Sequence, residues 1–256
     1  MLVIRDKQIR SFEQATLHRF EEEMIVHSKE FSPRLCKVME DEQLRVAVRL
    51  AIDHAMTYGF TNRGPIRLFI ELMFLRGSAF DTDPQYPGLG NALRASDDQM
   101  QRAERMHEVS IDYLEKVSDP GAVNVHNALR NLSIFAKKPL RFTANNFVTV
   151  MLQEMNNLFP EKVTYVGNDK LTTLIDAGRI EAQKYGFATV RGEAMIVTLM
   201  FAFGHGCTND PLYPWISRTL LDQRIIDPVA RAARLEKKAL TWLNHVITGN
   251  EKEAQT

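Results

Sequence analysis

Tyr58-Gly59-Phe60, Leu72-Met73-Phe74, Gly77, Asp83-Pro84, Tyr86-Pro87 and Leu93 stand within one stretch of 36 residues. Each recurs 127 positions later, as Tyr185-Gly186-Phe187, Leu199-Met200-Phe201, Gly204, Asp210-Pro211, Tyr213-Pro214 and Leu220. That is twelve identities in 36 gapless positions, where pairing at average composition gives roughly one in seventeen, or about two. Backward, the offset sets Phe20 on Phe147, Met24 on Met151, Pro33 on Pro160, Leu44 on Leu171 and Ala55 on Ala182. Past Leu93 a two-residue shift sets Arg102-Ala103 on Arg231-Ala232, Leu114 on Leu243 and Val117 on Val246. The chain therefore reads as a tandem duplication of a unit of ~110 residues, each copy large enough for its own core.

The unit reads as helical. Leu44, Val48, Ala51, Ala55 and Tyr58 recur at helical steps, and Leu171, Ile175, Gly178, Ala182 and Tyr185 copy the spacing. Asp41 and Asn168 are the expected N-caps of this helix. Gly59 and Gly186 are its expected stops, with the following Phe folding back in a Schellman closure. A second helix, apolar around most of its circumference, is expected from Pro65 to Arg76 and from Gly192 to Phe203. Ser96 with Gln99 forms a capping-box pattern opening a long amphipathic helix through Met106, Tyr113 and Val117, whose counterpart runs from Pro228 to Val246. No period-two run supports a sheet, so the expected class is all-α: unit one at 1–117, a partly helical linker at 118–139 marked by the turn Ser118-Asp119-Pro120-Gly121, and unit two at 140–256.

Composition excludes several classes. Apolar residues make up 45% and charged residues 25% of the 256, an ordinary globular balance that disfavours disorder and coiled coil. Lys plus Arg and Asp plus Glu both count 32, so no global field attracts nucleic acid or an anionic membrane. Two cysteines, Cys36 and Cys207, are too few for a disulfide framework. Residues 1–10 carry no export signal, and no apolar run approaches a bilayer span, so a cytoplasmic protein is expected.

Few residues suggest chemistry. Gly204-His205-Gly206-Cys207 places a His and a Cys on one turn, but no further ligand pair or nucleophile partner accompanies them, so a structural loop is the expectation. Glu21-Glu22-Glu23 and Glu40-Asp41-Glu42 read as solvated faces. Walker, Gly-x-Gly-x-x-Gly, Gly-x-Ser-x-Gly and His-Glu-x-x-His motifs are all missing. The expectation is no catalytic residues, no metal and no cofactor. The repeated Asp-Pro-x-Tyr-Pro reads as a rigid interhelical loop packed onto the core. Its sharper reading, with Trp215 beside it, is a loop presenting aromatics to a protein partner, through Asp83, Tyr86, Asp210, Tyr213 and Trp215. Where unit one has Glu21 to Glu23, unit two has Val148-Thr149-Val150. Val148 and Val150 are thus expected at an interface, between the units or against another chain, with charge tolerated at Glu22.

The pattern of Phe20 and Met24, Phe31 and Pro33, Tyr-Gly-Phe, Leu-Met-Phe-x-x-Gly and Phe80-Asp81-x-Asp83-Pro84 resembles a group of uncharacterised small helical proteins encoded beside type VI secretion spike, tip and effector genes. The resemblance implies an accessory, chaperone-like or immunity factor that contacts an effector or spike-associated protein. It carries no catalytic residues. The expected function is a non-enzymatic helical protein-binding protein. The alternative is an enzyme or small-ligand binder using a pocket between the units near His205 and Cys207. A third reading is an all-α module that self-associates.

Overall fold

The computed structural model describes residues 6–119, 121–135, 143, 145–187 and 189–253, and of the side chains at 6–11, 13 and 246–253 nothing is said. Pro120 of the expected turn, residues 136–139 of the expected linker, residues 140–142 and 144 of the expected second unit and the Val246 side chain thus lie outside the description. The described residues form thirteen α-helices and no strand, so the protein is all-α. The first half contains α1 (Asp6–Phe31), α2 (Pro33–Lys37), α3 (Asp41–Thr57), α4 (Arg63–Arg76), α5 (Pro87–Leu93) and α6 (Gln99–Tyr113), which continues through a π-helical turn, Leu114–Ser118. After α7 (Val123–Phe135) come α8 (Phe147–Leu158), α9 (Pro160–Val166), α10 (Asn168–Lys184) and α11 (Val190–Phe203). A short 3-10 turn, Cys207–Asn209, leads to α12 (Pro214–Leu220) and α13 (Pro228–Glu253). The bounds of α3, α4 and α5 reappear 127 residues on in α10, α11 and α12. None of these helices is long and apolar enough to cross a membrane.

The chemistry of the helix ends explains the correspondence. At the end of α3, Gly59 takes φ +74°, Phe60 N donates to Ala55 O at 3.1 Å and Gly59 N donates to Met56 O at 2.9 Å. At the end of α10, Gly186 takes the same φ, and Phe187 N and Gly186 N reach Ala182 O and Gln183 O at 3.1 and 3.0 Å. Both are Schellman closures, and both phenylalanines end up buried, a burial worth about 1.5–3 kcal/mol each. An arginine then covers the same helix end in each half. Arg102 Nη1 donates to Tyr58 O at 2.8 Å and to Leu93 O at 2.9 Å, and Arg231 Nη1 donates to Tyr185 O at 3.1 Å. A cation at a helix C-terminus complements the dipole, which gives the Arg-Ala pair its structural role.

Helix starts differ from expectation by a residue or two. The N-cap of α3 is Glu40, with Gln43 Oε1 accepting its N–H at 3.4 Å, and Asp41 is the first helical residue. Gly167 precedes α10 in place of Asn168. Asp98, not Ser96, caps α6: its Oδ1 accepts Met100 N at 2.8 Å. Gln99 is instead recruited by tertiary structure, its Oε1 accepting the N–H groups of Thr61 and Asn62 at 2.8 and 2.9 Å ahead of α4.

The segment between the halves packs on both, Asn124 Nδ2 donating to Val117 O at 3.1 Å at the end of the first half. α7 packs on α8 and α13, and Asn131 Nδ2 donates to Asn157 O at 3.1 Å. α8 lies under α7, α9, α10 and α11, so Val148 and Val150 are half-buried within the second half. Where α8 was expected between the units or against another chain, it packs on α7 and on its own half, with Val148 and Val150 keeping part of their surface exposed. The opposite correction holds for Glu21, expected on a solvated face. It is buried, with Oε1 accepting from Arg45 at 2.7 Å and Oε2 from Arg49 at 2.9 Å.

Candidate functional site

At the centre of the molecule the ends of α4 and α11 meet. Gly77 and Gly204 both take φ +95°, and a Cβ on either would lie 2.5 Å from Phe203 O or 2.7 Å from Arg76 O. Only glycine permits this approach, and it brings each half's Asp-Pro-x-Tyr-Pro against the other half. Asp83 Oδ1 accepts Gln85 N at 2.8 Å within its own turn, while Oδ2 crosses to accept His205 N at 2.7 Å. Asp210 does the reciprocal: Oδ1 accepts Leu212 N at 2.8 Å and Oδ2 accepts Ser78 N at 2.7 Å. The residue needed is one with two acceptor oxygens and no donor, an ionised aspartate. Burial pushes the Asp210 carboxyl above its ordinary range, against the pull of the Ser78 and Leu212 N–H groups. Pro87 and Pro214 then open α5 and α12 at their first residues.

Asp83 and Asp210 are thus 3% and 2% exposed, and Tyr86 and Tyr213 are buried beside them. The motif faces inward, so it is the packed-loop reading of these four residues that the geometry matches. Trp215 is half-buried, its ring edge-on to Phe203 at 6.1 Å. His205 contributes its backbone N–H to the clasp, and its ring lies 3.3 Å from Thr82 Oγ1. Cys207 is fully buried, and burial, followed by the Asp210 and Asp83 charges, pushes its thiol well above the usual range. Such a thiol is not a nucleophile at neutral pH. Cys207 has no exposed surface, and His205 lies against Asp83 and Thr82 of the clasp.

A cleft does open between the halves, on the other side of the Tyr86 turn. Its volume is about 230 Å³, and its walls include Arg76, Gln85, Tyr86, Ser110, Tyr113 and Tyr165. The Arg76 guanidinium carbon sits 3.8 Å from the Tyr113 ring centroid and 5.6 Å from that of Tyr86. Tyr165 donates its hydroxyl to Asp112 Oδ2 at 3.0 Å, and its ring stands edge-on to Tyr113 at 5.1 Å. Behind Tyr86 lies Lys162, 4% exposed, whose Nζ donates to Phe201 O at 2.6 Å and lies 3.5 Å from the Tyr86 hydroxyl. Burial pushes this amine down to about 7, the Asp83 charge opposing the shift and the Arg76 charge adding to it. Neither Arg76 nor Lys162 belongs to a recognisable motif of the sequence. The signal was present in the repeat: Arg76 stands opposite Phe203, and Lys162 opposite Leu35.

A second concavity lies beside α1. Phe20, Ile52, Phe60 and Ile66 form its floor, and Phe12, Leu17 and Met56 its walls, around about 490 Å³. Phe12 is 67% exposed and Met56 50%, unusual for apolar side chains that share one groove. Further along α1, His18, Glu21 and Glu22 bring donor atoms within 4.8 Å of one another. The guanidinium of Arg45 bonds both carboxylates and Arg49 bonds Glu21, so this cluster is an ion-pair network whose charge is already met.

Comparisons with protein-family models, with curated proteins and with solved structures found no match.

Proposed function

We propose that the protein is a non-enzymatic binding protein that holds an amphipathic helix of a partner protein in the groove beside α1. The carrying observation is the row of Phe12, Leu17 and Met56 standing exposed over an apolar floor. Such a groove suits the apolar stripe of a single helix, read through anchors at i, i+3 or i+4 and i+7. In sequence, the second half has Pro139 and Ala144 where the first has Phe12 and Leu17. The interior residues with catalytic side chains support the non-enzymatic half of the reading. Cys207 is a buried thiol, and both the backbone and the ring of His205 lie against clasp residues, Asp83 and Thr82. The partner implied by the resemblance, an effector or spike-associated protein of a secretion module, is part of the proposal.

The test is purification from the native host with wild-type protein and with Phe12→Asp and Met56→Asp. The reading expects one stoichiometric partner, lost in both variants while circular dichroism is unchanged, and slowed hydrogen exchange at residues 12–20 and 52–60 in the complex. His205→Ala and Cys207→Ala should retain it. A concentration-dependent dimer abolished by Phe12→Asp assigns the groove to a second copy and overturns the reading, as does a partner retained by both groove variants.

A further inference from the structure

The two halves differ most in chemistry at one position. In the second half, Phe203 packs against Tyr213 and Trp242 with ring centroids at 4.6 and 4.9 Å, an all-aromatic cluster. The matching trio in the first half is Arg76, Tyr86 and Tyr113. The substitution extends along the wall: Gln85 stands opposite Leu212, and Ser110 opposite Ala239. A position held by an apolar ring in one half is therefore polar and cationic in the other, on the wall of a cleft.

Arg76, half-buried, has no protein partner for its charge there. None of its five donors meets an acceptor among the described residues, no carboxylate pairs with it, and its Nε is sealed from solvent. Gln85, with no exposed surface, has its Nε2 bonded to Met200 O at 3.1 Å and its Oε1 without a partner. A buried donor left unbonded costs about 1–3 kcal/mol, so the phenylalanine of the second half would be the better choice for packing alone. Lys162 lies behind Tyr86, off the cleft wall, its amine hydrogen-bonded to the end of α11. Asp83, the buried carboxylate nearest in sequence to this wall, already accepts from Gln85 and His205. Asp112, at the cleft's far side, is taken up by Tyr165, so neither carboxylate pairs with Arg76, and its guanidinium stands without an anion between tyrosine rings and a serine.

We propose that the cleft between the halves binds a small oxyanion, a carboxylate or phosphate monoester, on the Arg76 guanidinium. The planar fork of arginine matches two oxygens of either group. The rings of Tyr86 and Tyr113 hold the guanidinium plane in place by cation–π contact. Tyr165 and Val166 of the second half complete the enclosure, so binding would also tie the halves together. This site is separate from the groove beside α1 and does not depend on that reading.

The experiment is thermal unfolding and calorimetric titration with inorganic phosphate and with acetate or benzoate, at constant ionic strength against chloride. The wild type is expected to show a saturable rise in Tm with at least one of them, following the mass-action form for a ligand of the native state. A response to phosphate alone assigns a phosphoryl head, and one to the carboxylates alone a carboxylic acid. Arg76→Phe, which installs the second half's own residue, should fold with an unchanged or higher Tm and weaken binding at least tenfold. Arg76→Gln reads the same loss where the ring is not accommodated. An equal shift in wild type and variants, or no saturable shift with any of these anions, overturns the proposal.

Discussion

Asp83 Oδ2 accepts the backbone N–H of His205 at 2.7 Å, joining residues 122 apart in the chain, and Asp210 returns the bond to Ser78 N at the same distance. Each carboxylate also shapes its own turn, so neither oxygen is spare. Asn at either position would turn an amide N–H toward a backbone N–H. Asp83→Asn and Asp210→Asn should each lose about 1–3 kcal/mol in urea unfolding. The double variant should lose more than either single one, because both bonds run between the halves, beside those of Gln85 to Met200 O and Tyr165 to Asp112.

The glycines between these aspartates should be equally sensitive. In Gly77→Ala or Gly204→Ala the new methyl meets a carbonyl oxygen of the opposite half at 2.5 or 2.7 Å, at φ +95°. The combined strain and clash should cost about 3 kcal/mol in thermal unfolding. Gly64→Ala, with nothing within 4 Å of its Cβ, should be neutral or slightly stabilising.

Lys162 makes stability depend on pH. Its amine is pushed down to about 7 from an ordinary 10.5, so between those values the unfolded chain holds a proton that the folded chain does not. Stability therefore rises with pH across that window, at up to about 1.4 kcal/mol per pH unit for this one proton, and the full penalty applies below it. Lys162→Met should flatten the slope in urea unfolding from about pH 7 to about pH 10, with its gain largest at the acid end.

Glu21 and Glu22 are neighbours with different fates. Glu21→Gln removes the charge that Arg45 and Arg49 share and leaves a buried amide among guanidinium donors; it should cost about 1–3 kcal/mol. Glu22, nearly half exposed, should lose under about 1 kcal/mol on the same change. The Arg45 and Arg49 guanidinium groups hold the Glu21 carboxyl below its ordinary value, although burial alone would raise it. Its contribution is therefore present above the ordinary carboxylate range and lost as the pH falls through the lowered value. Thermal unfolding of the two variants at neutral and acid pH checks both statements.

Residue patterns along the chain determined the helices themselves: the apolar face of α3 and α10, the glycine stops at Gly59 and Gly186, the helix-opening Pro87 and Pro214, and the recurrence at 127 residues. These features are local, set by hydrogen bonds four or five residues apart and by φ values that glycine or proline impose. The Asp-Pro-x-Tyr-Pro pair was visible as a motif, yet only tertiary structure decided where its second oxygen goes, because the partner N–H lies more than 120 residues away. The same holds for Glu21, whose acidic run reads as solvated until α3 brings two arginines onto it, and for Gln99, taken from its own helix cap by the start of α4. Arg76 is the sharpest case. In sequence it is a basic residue ending a helix, and only the packing of Tyr86, Tyr113 and Tyr165 around it makes an enclosed, unpaired cation where the other half of the chain keeps a phenylalanine.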